Sequence, residues 1–124
     1  MSGKTILYVE DNEPNRMIVR DLLKRTSYTL IEAHDGEAGV AMALEHVPDL
    51  ILMDIQLPKI SGMEAMRRIR TNPATAQTPM VAITSFALSG DDQKAKEAGA
   101  TAYLAKPYSP FDLLKLIRKL LPET

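Results

Sequence analysis

Three short runs, Ile6-Leu7-Tyr8-Val9, Leu50-Ile51-Leu52-Met53 and Met80-Val81-Ala82-Ile83, are apolar almost without interruption. Each is of strand length, and a strand that is apolar on both sides has to be covered on both sides, as at the centre of a parallel sheet. Tyr28 to Ala33 and Thr101 to Leu104 have the same length but a mixed pattern, which suits sheet edges. Longer stretches at helical spacing separate the runs. Pro14 fits a first helical turn, where its missing N–H costs nothing, with Ile18, Leu22 and Leu23 as the expected buried stripe. Gly36 leads a small-residue helix through Val40, Ala43 and Leu44 that stops before Pro48. Met63, Met66 and Ile69 follow Gly62, with Pro73 beyond the helix end. Ser89 is placed to cap a short fourth helix that Gly99 ends. Ser109-Pro110, with Asp112 three past the serine, opens a last helix with Leu113, Leu114, Ile117, Leu120 and Leu121 on its apolar face. Strand–helix units joined by short loops predict an α/β fold, a parallel sheet with helices on both faces, as one domain over residues 1–124.

Composition excludes several functions. The 15 basic and 16 acidic residues leave no global field to draw nucleic acid or an anionic membrane. The absence of cysteine removes disulfides, thiolate metal sites and a cysteine nucleophile. No apolar run approaches the ~20 residues of a membrane span. Met1-Ser2-Gly3-Lys4 leads straight into the first run, so no signal peptide is expected and the cytoplasm is the expected compartment.

In an open parallel sheet, ligands bind beyond the carboxyl ends of the strands. The first run ends in Glu10-Asp11-Asn12, the third in Asp54 and the fourth in Thr84-Ser85, while the fifth leads to Lys106-Pro107. Three carboxylates, a hydroxyl and an ammonium are thereby directed to one rim. Neighbouring carboxylates repel by ~4 kcal/mol per pair at 4 Å and an effective dielectric near 20, so a proton or a cation has to relieve them. A hard, oxygen-liganded ion, Mg²⁺ with retained waters, suits the set. Singly, each residue has a plainer account. Glu10 and Asp11 suit a helix N-terminus, Asp54 a turn before Leu57-Pro58, Thr84 a strand end and Lys106 an ordinary surface charge. It is their convergence that argues for chemistry.

These residues stand in Val9-Glu10-Asp11-Asn12, Asp49-Leu50-Ile51-Leu52-Met53-Asp54-Ile55-Gln56-Leu57-Pro58, Ser61-Gly62, Ala82-Ile83-Thr84-Ser85-Phe86-Ala87 and Ala102-Tyr103-Leu104-Ala105-Lys106-Pro107. Together they resemble the receiver domain of bacterial response regulators, over essentially Lys4 to Leu121. Within that family, the run Met53 to Pro58 and the lack of an output domain resemble the stand-alone DivK-type receivers, although hybrid-kinase receivers share much of the run. The resemblance implies a doubly wound, flavodoxin-like sheet of order 2-1-3-4-5. It implies that Asp54 accepts a phosphoryl group from a phosphohistidine on a sensor histidine kinase or a histidine phosphotransferase. It further implies that Asp11, Asp54 and the Gln56 carbonyl ligate Mg²⁺ while Glu10 holds a coordinated water. Lys106 and Thr84 would contact phosphoryl oxygens, and Tyr103 would be the switch aromatic. A downstream protein would be met on the face of the fourth helix, fifth strand and last helix. Ser85 stands where many members carry alanine or glycine. Gln56 and Phe86 are expected to flank the hydrolytic water and to set the lifetime of the phosphorylated state.

Two other functions compete. A Mg²⁺-dependent phosphohydrolase would also use Asp54 as nucleophile, but Gln56 stands where a second acid is needed and no cap domain selects a substrate. A flavin carrier would be poorly served by Glu10 and Asp11 after the first strand, and the chain has no tryptophan to stack the ring. His34 and His46 read as surface or structural groups, the methionines as core filler, and Arg67, Arg68 and Arg70 as a solvated basic face.

Overall fold

Consecutive apolar residues in a strand send their side chains to opposite faces, so an unbroken apolar run supplies two cores at once. The computed structural model describes residues 3–84 and 91–123, and it is built this way. Strands β1 (Thr5–Val9), β2 (Thr29–Ala33), β3 (Leu50–Asp54), β4 (Met80–Thr84) and β5 (Ala102–Ala105) alternate with helices α1 (Glu13–Leu23), α2 (Gly36–His46), α3 (Gly62–Arg70), α4 (Asp91–Ala98) and α5 (Pro110–Leu120). The strands form one sheet of order β2-β1-β3-β4-β5 with every neighbouring pair parallel. Leu7, Val9, Ile51, Met53, Met80 and Ala82 meet Ala43, Ala65, Met66, Ile69 and Ala95 from α2, α3 and α4. On the other face, Ile6, Tyr8, Leu50, Leu52, Val81 and Ile83 meet Val19 and Leu23 of α1 and Leu113 and Ile117 of α5. The mixed runs are the two edges, as expected. Among the described residues no helix is long and apolar enough to cross a membrane.

Caps set the helix starts. Asn12, Asp35, Ser61 and Ser109 each accept a backbone N–H from three residues on, at 2.9, 2.7, 3.1 and 3.1 Å. Gly99, at φ +115°, ends α4 in a conformation that a side chain disfavours. The proposed cap Ser89 lies outside the described residues.

Two expectations are corrected, for α1 and for Arg70. The buried side of α1 is Arg16, Val19 and Leu23, with Leu22 partly covered, whereas Ile18 is 52% exposed. The stripe is rotated because Arg16, with Glu13 and Glu32 at hand, can be buried and takes the place an apolar residue would hold. Leu44 is exposed on α2, where Gly36 and Gly39 lie close to the chain beneath and define the buried side. Arg70 is not part of a solvated face. Its Nε and Nη2 donate to the Gly99 carbonyl at 3.1 and 2.8 Å and its Nη1 to the Thr75 carbonyl at 2.9 Å, tying α3 to the turn before β5. Arg67 and Arg68 do lie outward, paired with Glu64.

The buried Arg16 guanidinium donates to the Glu10 carbonyl at 2.7 Å and to Glu13 at 2.6 Å, and it lies 3.2 Å from Glu32. Arg20 grips Glu32 with two hydrogen bonds of 2.8 and 2.7 Å. That grip from Arg20, reinforced by Arg16 and opposed by partial burial, holds the Glu32 carboxyl below its ordinary 4.5. A depressed folded-state value stabilises the fold above pH 4.5, and this contribution fades as the pH falls through the depressed value. Glu32→Gln should therefore cost about 2 kcal/mol at pH 7 in urea melts, because it takes a carboxylate away from the buried Arg16 guanidinium and from the partly exposed Arg20. The gap from wild type should close in acid. A gap of equal size at pH 7 and well below pH 4.5 would show that lost packing, not charge, is being measured.

Candidate functional site

The carboxyl ends of β1 and β3 are adjacent in the sheet, with Val9 paired to Met53, so Glu10 and Asp54 emerge side by side. Glu10 is 1% and Asp54 3% exposed, whereas Asp11 faces solvent. Each of the three offers a carboxylate oxygen, and these oxygens lie within 4.8 Å of one another. Lys106, delivered by the end of β5, brings Nζ to 3.1 Å from Glu10 Oε1 and 3.4 Å from Asp54 Oδ2. The Lys106–Pro107 peptide is cis. The Gln56 N–H donates to Asp54 Oδ1 at 2.9 Å, and the Gln56 side-chain amide donates to Thr84 Oγ1 at 2.6 Å. Tyr103 packs, partly buried, against the core cluster that holds Met53 and Ala82.

The site's charge is unevenly shared. Burial opposes the ionisation of Glu10, but a hydrogen bond with Asp54, the Lys106 ammonium and the Asn12 N–H hold its carboxyl below the ordinary 4.5. Asp54 moves the other way. Burial and then the neighbouring Glu10 push it up from 3.8 to about 7, against the pull of Lys106 and the Gln56 N–H. Lys106, despite its own burial, is held above its ordinary value by Asp54 and Glu10. An ionised Glu10 therefore faces an Asp54 that holds a proton until near neutrality, the state of a rim short of positive charge. The donor set is all oxygen, two buried carboxylates and one open to water, which fits a small hard divalent ion that keeps several waters.

Nearly every expected site residue is found here. Glu10, Asp11, Asp54, Gln56, Thr84 and Lys106 share one rim, with Tyr103 on the neighbouring strand. Phe86 and Ser85 lie outside the described residues. His34 and His46 are exposed and are not among the rim residues. Two residues escaped the sequence reading. The buried Tyr8 donates its hydroxyl to Glu10 Oε1 at 3.2 Å, and Tyr108 stands in hydrogen-bonding contact with Tyr8. Burial, Tyr108 and Glu10 hold the Tyr8 hydroxyl firmly protonated. The signal was there, since a residue two before Glu10 on a strand shares its face.

Gly62 shapes the rim from below. A Cβ at this position would stand 2.1 Å from the Asp54 carbonyl oxygen, so only glycine lets the start of α3 approach the acceptor strand this closely. The Gly62 N–H in turn donates to the Ile55 carbonyl at 3.0 Å.

Residues 6–118 match the response regulator receiver domain family. The chain is 38% identical over 118 residues to the polar-differentiation response regulator DivK of Brucella anthropi, covering 95% of this chain and 96% of that protein. DivK of Brucella abortus matches to the same extent. Among solved structures, the receiver domain of sensor histidine kinase PA1611 from Pseudomonas aeruginosa, with magnesium coordinated in its active-site cleft, has a TM-score of 0.88 at 34% identity. That match covers 96% of this chain and 98% of the other. Chemotaxis response regulator CheY4 of Vibrio cholerae has a TM-score of 0.89 at 30% identity, covering 95% and 98%. Likeness of this extent, in a chain whose acid rim is intact, makes it a member of the response regulator receiver domain family, the phosphorylation-controlled signalling switches of two-component systems.

Proposed function

We propose that residues 1–124 act as one cytoplasmic receiver unit that catalyses transfer of a phosphoryl group from a phosphohistidine to Asp54. The observation that carries this reading is the placement of Asp54: a nearly buried carboxylate at a strand end, between an ammonium and a second acid. An Asp54 oxygen attacks phosphorus in line, the P–N bond breaks, and the leaving imidazole takes up a proton. The transition state of such a transfer is loose, so alignment and charge stabilisation supply most of the catalysis. Mg²⁺, held by Asp11, Asp54 and the Gln56 carbonyl with Glu10 on a coordinated water, would offset the charge of the phosphoryl oxygens. Lys106 turns from the two acids to a phosphoryl oxygen. Loss of the group is slow hydrolysis, with Gln56 beside the path of water.

In this reading the Thr84 hydroxyl moves to another phosphoryl oxygen, loosening its contact with Gln56, and Tyr103 follows. The surface affected is that of α4, β5 and α5, where Asp92, Lys96, Ala100, Thr101 and Tyr103 border a hollow of about 250 Å³. A downstream protein meets this face, while a histidine kinase or a histidine phosphotransferase serves the acid rim. Moving the switch from 1:99 to 99:1 needs ~5.5 kcal/mol, within reach of a few charge-assisted hydrogen bonds.

Acetyl phosphate with Mg²⁺ should add a single base-labile phosphoryl group, mapped to Asp54 by mass spectrometry. Beryllofluoride should shift backbone NMR signals from Asp54 through Thr84 to Tyr103. Label on another residue would overturn the acceptor assignment, and shifts confined to the acid rim would overturn the coupling.

A further inference from the structure

We propose that Tyr8 is a positioning residue for phosphoryl transfer: its buried hydroxyl holds the Glu10 carboxylate in place when Lys106 leaves it for the phosphoryl group. The proposal rests on the reading of Lys106 given above. Glu10 Oε1 receives two donors, Lys106 Nζ at 3.1 Å and the Tyr8 hydroxyl at 3.2 Å, while Oε2 receives the Asn12 N–H at 3.2 Å. Glu10 has almost no contact with solvent, so an oxygen that loses its ammonium partner needs another donor already in position. Tyr8 is that donor. Its ring is wholly buried in the core between the sheet and helices α1 and α5, so the hydroxyl cannot wander.

The hydroxyl is itself supported. The Tyr8 hydroxyl, which donates to Glu10, also stands in hydrogen-bonding contact with Tyr108. Tyr108 follows directly on Lys106-Pro107 and lines a hollow of about 450 Å³ with Asn15, Ile18, Lys106, Pro107 and Pro110. The lysine and the group that replaces it on Glu10 are thus held by one segment.

Tyr8→Phe removes the hydroxyl and keeps the ring. The Mg²⁺ dissociation constant, measured by calorimetry on the unphosphorylated protein, should rise about threefold to tenfold, the net worth of one hydrogen bond. The phosphorylation rate from acetyl phosphate at saturating Mg²⁺ should fall by a similar factor, and the metal-free melting temperature should change little. Independently of any variant, ¹³Cζ-tyrosine labelling should show the Tyr8 signal moving on addition of Mg²⁺ and again with beryllofluoride. If Tyr8→Phe lowers stability but leaves Mg²⁺ affinity and rate at wild-type values, Tyr8 only fills the core and the proposal is wrong. A Tyr8 signal that responds to neither addition also overturns it. A wild-type chain that takes no phosphoryl group on Asp54 would sink the reading of the site as well, so the two failures are distinguishable.

Discussion

Asp54→Asn should take up no phosphoryl group from acetyl phosphate and, without Mg²⁺ at pH 8, should unfold at a higher temperature than the wild type. The first half follows from the nucleophile: an amide cannot supply the oxygen that attacks phosphorus. The second follows from burial. Asp54 is pushed up from 3.8 to about 7 by desolvation and by Glu10, so the folded chain binds its proton more tightly than the unfolded chain does. Stability is therefore lost as the pH rises from about 4 to about 7 and stays low above that. A shift of this size, with the pull of Lys106 already in it, corresponds to at most about 4 kcal/mol, and an amide replaces the protonated acid's hydrogen bond to Glu10 only in part, leaving about 2 kcal/mol for the variant. The difference should shrink as the pH falls toward 4. Loss of phosphorylation with no gain in metal-free stability would mean that Lys106 already neutralises Asp54 fully.

Mg²⁺ should raise the melting temperature of the wild type by about 10 °C at one hundred times its dissociation constant. Binding to the folded chain alone contributes ~2.7 kcal/mol there, and a domain of this size shifts by roughly 4 °C per kcal/mol. Asp11→Asn should abolish most of that increment. Asp11 is the solvent-facing member of the cluster, so the variant leaves the buried pair and its lysine in place and removes one charge from the ligand set. Its metal-free melting temperature should rise slightly, as repulsion on the rim is relieved in a well-solvated position. An undiminished Mg²⁺ increment in Asp11→Asn would place the ion elsewhere. A calorimetric titration of both proteins checks the affinity directly.

The fold was legible because unbroken apolar runs can only be central strands, and the polar residues ending those runs then had to share a rim. Helix faces were harder. The stripe of α1 was read without Arg16, since nothing in a linear pattern shows that Glu13, Glu32 and the Glu10 carbonyl will surround a guanidinium and let it be buried. Asp35, just after the second strand, caps α2, and such a cap is recognised only once the helix start is known to the residue. Tyr8 was hidden for the opposite reason. It counted as one more apolar strand residue, and its hydroxyl acquires meaning only when Glu10 is seen on the same face. Arg70 was grouped with its basic neighbours, although its partner at Gly99 lies across the turn that ends α4.

The contact between Gly62 and the Asp54 carbonyl makes the acceptor and the start of α3 a single heritable unit. Any side chain at 62 would press on the backbone that carries Asp54, so the glycine cannot drift while the aspartate stays in place. Whoever grafts this switch into another sheet has to carry Ser61, Gly62 and the turn between them and Asp54 as one cassette, since an aspartate transplanted alone would arrive without the surface that holds it.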